Sequence, residues 1–174
     1  MLLKDKKVAV LVEEGFEDLE FWVTVMMLQA EGAQVIAVSN REGQLCHGRH
    51  GLTATSDIAA VNVTADELDG IVVPGGWAPD KLRRRPPITN LVRELYEQGK
   101  PIGMICHGGQ VGISAKIVKG HVMTGSYGIK DDLINAGAIW TEERAVRDRN
   151  IISAHGVEDI PPFCRMVIDA LVER

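Results

Sequence analysis

Lys100-Pro101-Ile102-Gly103-Met104-Ile105-Cys106-His107-Gly108-Gly109-Gln110 decides how the 174-residue chain is read. Pro101 cannot donate to a strand ladder and suits the first position of a strand. Ile102, Met104 and Ile105 form a short apolar run bounded by turn signals, as a buried strand does. Gly108 and Gly109 permit a tight turn, and Val111, Ile113, Ala115 and Ile117 continue as a mostly apolar helix. Strand, cysteine, glycines, helix is the order of a nucleophile elbow. Such a turn lifts one side chain to the C-terminal edge of its strand and aims the next helix's N-terminus at it. The positive dipole end and its free N–H groups favour a thiolate. The competing reading is a buried, inert cysteine.

Outward from this stretch the chain alternates strand and helix. Lys7–Val12 is apolar almost throughout, as a strand covered on both faces should be. A helix follows to about Glu31, with Leu19, Trp22, Val23, Met26, Met27 and Ala30 at helical spacing. Phe21, Val25 and Leu28 widen its stripe, so it is buried on two sides or lies at a subunit interface. Gln34–Ser39 is a second strand, Arg41–Asp57 a β-hairpin excursion and Thr64–Leu68 a helical turn. Asp69–Pro74 is a third buried strand, ending in Gly75-Gly76. Pro79–Arg85 and Ile88–Gln98 read as helices. Beyond the elbow come short strands at Val122–Thr124, Ala138–Trp140, Ala145–Arg147 and Ile151–Ser153, with helices at Ile129–Ala136 and Asp159–Val172. The alternation predicts one α/β domain over residues 1–174, a three-layer sandwich whose mostly parallel, flavodoxin-like sheet carries helices on both faces. Ligands of such sheets bind beyond the carboxyl ends of the strands. The acidic loop after the first strand, Gly75-Gly76 and Cys106 all fall on that edge.

There Cys106 is the candidate nucleophile and His107 its neighbouring partner, although successive residues at a sharp turn point in different directions. Backbone N–H groups at Gly75 and Gly76 could face a developing oxyanion. Glu13, Glu14, Glu17, Asp18 and Glu20 crowd one loop, where repulsion and burial keep at least one carboxyl protonated. Glu20, bordering the buried stripe, is the one expected to exchange a proton with Cys106. Most of the other four read as an exposed acidic helix start. Gly43-Gln44-Leu45-Cys46-His47-Gly48 mimics residues 103–108, but no helix follows it. Cys46, His47 and His50 are too few for a metal site, so no metal is expected. Cys164 reads as core. His121 has no assigned place, and His155, after a strand, could reach the edge.

The net charge of −5 with mixed signs argues against nucleic acid, and Arg83-Arg84-Arg85 reads as a solvated helix end. Three cysteines without repeated spacing suit a reducing, cytoplasmic setting rather than a disulfide framework. No span of about 20 apolar residues points to a membrane helix, and the start lacks the apolar region of a signal peptide.

These stretches resemble the PfpI family of the ThiJ/PfpI superfamily, with its class I glutamine-amidotransferase-like fold. The resemblance runs through Glu14–Glu20, His50-Gly51, Val73–Asp80, Ile105–Gln110, Ile113–Ala115 and Ile129–Ala138. It implies Cys106 as nucleophile, His107 beside it, Glu20 hydrogen-bonded to the sulfur, and an acidic residue from a neighbouring subunit orienting the histidine. Asp80 fills that position, one methylene shorter than the family's Glu. Gly109, Trp77 and Ala154 stand where Pro, Arg and Arg are frequent. The resemblance further implies no cofactor, a dimer or hexamer with sites near interfaces, and activity as an intracellular peptidase or as a glyoxalase/deglycase. Substrates would then be peptides, small aldehydes or glycated molecules. Two other readings share the fold: a redox sensor with an oxidisable, acidic Cys106, and a chaperone-like stress protein without turnover.

Overall fold

The computed structural model describes residues 1–174. Its strands are β1 (Lys7–Leu11), β2 (Gln34–Ser39), β3 (Leu45–His47), β4 (Thr53–Thr55), β5 (Ile58–Ala59), β6 (Gly70–Val73), β7 (Ile102–Ile105), β8 (Val122–Met123), β9 (Ile139–Trp140), β10 (Ala145–Asp148) and β11 (Ile151–Ala154). Its helices are α1 (Asp18–Ala30), α2 (Ala78–Leu82), α3 (Pro86–Glu97), α4 (Gly109–Ala115), α5 (Lys130–Asn135) and α6 (Ile160–Val172).

The central sheet has the order β10-β11-β7-β6-β1-β2-β5. All its pairs are parallel except β10 with β11. β6, β7 and β11 are buried at every residue, and β1 at all but Lys7. Their continuous apolar sequence is what a strand needs when helices cover both faces. α1 and α6 pack together on one face, while α2, α3 and α4 form the other layer. The predicted three-layer α/β architecture is the observed one. Register sets Ile71 opposite Ile102 and Val73 opposite Met104. The ends of β1, β6 and β7 therefore open on a common edge.

Three local readings need correction. The helix after the elbow stops at Ala115, because Lys116 adopts a left-handed conformation (φ +63°) and reverses the chain. Ile117 is still buried, but beyond the helix. The excursion after β2 contains the hairpin β3–β4 as read, but just beyond it the sequence reading missed β5, a two-residue edge strand too short to show periodicity. The helix expected over Ile129–Ala136 is a 3₁₀ turn at Tyr127–Ile129 followed by α5. Of the alternatives for α1, burial on two sides is not met in the single chain, where Leu19 and Met26 are 46% and 60% exposed.

Candidate active site

Cys106 follows β7 directly and has φ +60°, one of four non-glycine residues in the left-handed region. Cysteine bears a steric cost there on the order of 1–2 kcal/mol, a strain that concentrates at functional turns. A 3₁₀ turn over Cys106–Gly108 leads into α4. The carbonyl of Cys106 accepts the N–H of Ser126 at 3.0 Å, which anchors the turn from the β8–α5 connection.

Glu20 lies in the first turn of α1 and is fully buried. Glu17 caps that helix by accepting the N–H of Glu20 at 2.8 Å. Glu20 Oε2 accepts the N–H of Gly75 at 2.6 Å, and Oε1 has no hydrogen-bond partner. Gly75 lies tight against both the carboxyl and the sulfur. A Cβ built on it would stand 2.6 Å from Cβ of Cys106, 2.7 Å from Glu20 Oε2 and 3.0 Å from Cys106 Sγ. Only glycine admits this approach. Gly76, at φ +79°, would drive a Cβ into the backbone of Gly15 and Phe16. The backbone N–H groups of Gly76 and His107 face the sulfur.

Burial, opposed by the Gly75 N–H and aided by the nearby Glu17, raises the Glu20 carboxyl to about 7. At neutral pH Glu20 thus divides between acid and carboxylate, as a proton carrier must. Burial, and after it the Glu20 carboxylate, push the Cys106 thiol up to about 12. The acidic thiol expected from the helix N-terminus is not what these surroundings give. α4 has only seven residues, and desolvation beside a carboxylate outweighs it. Sulfur and carboxyl form a coupled pair that favours one shared proton over two anions. His107 Nδ1 lies 3.3 Å from Sγ. Burial, then the charge of Arg49, lower the pKa of His107, so its ring is neutral at pH 7 and free to accept a proton.

The remaining carboxylates correct the exposed reading of the acidic loop. Glu13, Glu17 and Asp18 are buried. Glu13 accepts from Gln44 Nε2 and from the N–H of Glu14. Asp18 accepts the N–H groups of His50 at 2.9 Å and Leu52 at 2.7 Å, fastening the β3–β4 tip to α1. Asp80 is exposed on α2, paired with Arg84, and the single chain does not bring it to His107. His155 packs edge-on against Tyr127, with ring centroids 4.7 Å apart, rather than on the sulfur. Gly128, next to Tyr127, has the His107 ring as its neighbour. His121 is buried against Tyr96 and Asp148. Cys46 is buried, its thiol pushed up to about 11 by burial. Cys164 contacts Thr24 inside the core. No three His, Cys, Asp or Glu side chains converge as a metal site. No helix is long and apolar enough to cross a membrane.

The sequence reading had no signal for Arg49. It sits at the hairpin tip, with its guanidinium carbon 4.8 Å from the Trp77 ring centroid. Two loops some thirty residues apart make that pair, and neither loop has a motif announcing it.

The DJ-1/PfpI family model matches residues 6–170. The deglycase TK1284 of Thermococcus kodakarensis is 37% identical over 165 residues, 95% of this chain and 99% of the relative. The deglycase PfpI of Pyrococcus furiosus is 35% identical over the same shares. A putative cysteine protease, YraA of Bacillus subtilis, is 36% identical over 95% of this chain and 98% of its own. Among solved structures, a protein from Anabaena variabilis with DJ-1/ThiJ/PfpI-like and ferritin-like domains superposes with TM-score 0.94 at 36% identity. The match covers 96% of this chain and 48% of that two-domain protein, so the chain spans about half its length. With the elbow, the glycine loop and the helix bearing Glu20 all inside the matched span, the chain belongs to the DJ-1/PfpI family.

Proposed function

We propose that the chain is a cysteine-dependent enzyme acting on methylglyoxal, both free and as adducts with thiols and amines. The observation that carries this reading is the buried Glu20 carboxyl set against Cys106, titrating near neutrality. The adduct binds and collapses to the aldehyde and its parent thiol or amine. Sγ then adds to the aldehyde carbon while its proton passes to Glu20 or His107, and the new oxygen takes up a proton. The oxyanion forming in this step would meet the N–H groups around Gly76.

Glu20 next removes the hydrogen of the former aldehyde carbon and returns it to the neighbouring ketone carbon. The first carbon rises to a thioester and the second falls to an alcohol, so no outside oxidant is needed. Water hydrolyses the thioester, releasing lactate and restoring the thiol. The sum is methylglyoxal plus water giving lactate and a proton. This chemistry uses a neutral thiol and a proton carrier, which suits the raised pKa values of both groups.

The aldehyde is favoured over a peptide bond on two grounds. The sulfur is half-buried in a tight turn against Gly75, Glu20 and His107, which suits a small carbonyl compound. An amine leaving group would also require its own protonation. The names of the archaeal relatives support deglycation, and that of the Bacillus relative supports proteolysis. The reading includes a homo-oligomer in which Asp80 of a second copy approaches His107, and a role in protection against reactive aldehydes. The test is lactate formation from methylglyoxal by wild type and Cys106→Ser. The reading expects loss of turnover with an unchanged circular dichroism spectrum, and full activity in Cys106→Ser overturns it.

A further inference from the structure

Arg49 is an exposed cation with no acceptor of its own. Its backbone is fixed: its N–H donates to the Phe16 carbonyl at 2.9 Å, and the adjacent Gly48 N–H donates to Leu52 at 2.7 Å. Its guanidinium lies over Trp77, 4.8 Å from the ring centroid. The carboxylates around it are engaged elsewhere. Asp18 holds the His50 and Leu52 N–H groups. Glu17 holds the Glu20 N–H, with the His50 ring 3.7 Å away. Glu14 holds His47. Trp77, 62% exposed, is fixed in turn by its N–H to the Gly15 carbonyl at 2.7 Å. It directly follows Gly76, whose N–H faces Sγ. Arg49 on Trp77 thus stands beside the glycine loop that borders the sulfur, and its charge is felt by both Glu20 and His107.

A guanidinium resting on an indole face is oriented and weakly hydrated, and its planar fork matches a carboxylate or phosphate with two parallel hydrogen bonds. A cation so held, with its donors open, is arranged for an anion that arrives with the substrate. We infer that Arg49, supported by Trp77, is a specificity determinant that takes the carboxylate of the substrate's parent molecule. Methylglyoxal adducts of anionic thiols and amines are then preferred over neutral ones. This rests on the aldehyde reading above and names its substrate class.

The test compares two methylglyoxal adducts that differ only in charge, those of N-acetylcysteine and of N-acetylcysteine amide. Wild type should favour the acid adduct in kcat/KM by about three- to fivefold, the upper scale of one exposed, well-oriented ion pair. The preference should fall to near unity in Arg49→Met and recover in part in Arg49→Lys. It should shrink at high salt, because the cation is exposed. Equal losses on both adducts would mean that Arg49 acts only through Glu20 and His107, and would overturn the proposal, as would an unaltered preference.

Binding of the non-reacting thioether N-acetyl-S-acetonylcysteine, followed by calorimetry, reads recognition without turnover. Wild type that binds this probe more tightly than its amide, with the difference lost in Arg49→Met, upholds recognition even if neither adduct is turned over. That combination would sink the catalytic reading alone. Wild type that does not distinguish probe from amide sinks the inference.

Discussion

The amide of Gly75 donates to Glu20 Oε2 at 2.6 Å, joining residues 55 apart in sequence and fixing the carboxyl against Cys106. That bond favours the charged carboxylate, whereas burial favours the acid, and burial is the larger effect.

Stability should therefore depend on pH through Glu20. Its pKa rises from 4.5 in the open chain to about 7 in the fold. A raised pKa means the native state holds a proton that the unfolded state has lost. The contribution is fully present below pH 4.5 and disappears as pH rises through about 7. The swing is about 3 kcal/mol. Urea unfolding of wild type and Glu20→Gln across that window should show the variant gaining on wild type as pH rises.

The same variant should separate nucleophilicity from proton transfer. Removing the Glu20 charge lowers the Cys106 pKa, so iodoacetamide should alkylate Glu20→Gln about three- to tenfold faster at pH 8. Turnover should nonetheless fall about 100-fold or more, since the proton carrier is gone. Slower alkylation in the variant would show that the carboxylate assists the thiolate instead.

Gly75→Ala tests the close approach. Its Cβ would overlap both Cys106 and Glu20, and relief requires the elbow or the glycine loop to shift. A loss of about 1–3 kcal/mol is expected, together with loss of lactate formation. Gly156→Ala is the control, because a Cβ there meets nothing within 4 Å and the backbone is extended. It should change stability by no more than about 0.5 kcal/mol.

Asp18→Ala removes the acceptor of two backbone N–H groups at the hairpin tip. The cost should be about 2–4 kcal/mol, since hydrogen bonds to a buried charge are among the stronger ones. Amide exchange at residues 48–52 should rise well before global unfolding, and the preference for anionic adducts should weaken as Arg49 loses its anchor.

Asp80→Ala separates chain from assembly. Its exposed pair with Arg84 should be worth no more than about 0.5 kcal/mol to folding. A marked drop in kcat with unchanged stability and alkylation would mean that Asp80 acts across a subunit boundary. Unchanged kcat would remove it from the site.

Much of the frame was legible because β1, β6 and β7 are unbroken apolar runs, and such runs leave few alternatives to a doubly covered sheet. Glu20 could be picked out because it borders an apolar stripe. The fates of Glu13, Glu17 and Asp18 could not, since their burial depends on Gln44, the α1 backbone and the hairpin amides. The thiol's pKa was misjudged for a related reason. The motif announces a helix after Cys106, but not that it ends after two turns or that the sulfur lies beside a buried carboxyl. Arg49 on Trp77 is a meeting of loops, which periodicity does not encode.

The sheet's margins bear on how copies of this chain can associate. One margin is β5, two residues long, and the other is β10, four residues long with β8 packed against it. Neither offers a row of free amides and carbonyls long enough to template an added strand. Self-association by extending the sheet is thereby disfavoured. Copies that associate would then do so through side chains on helices and loops, where a single substitution can make or break the fit.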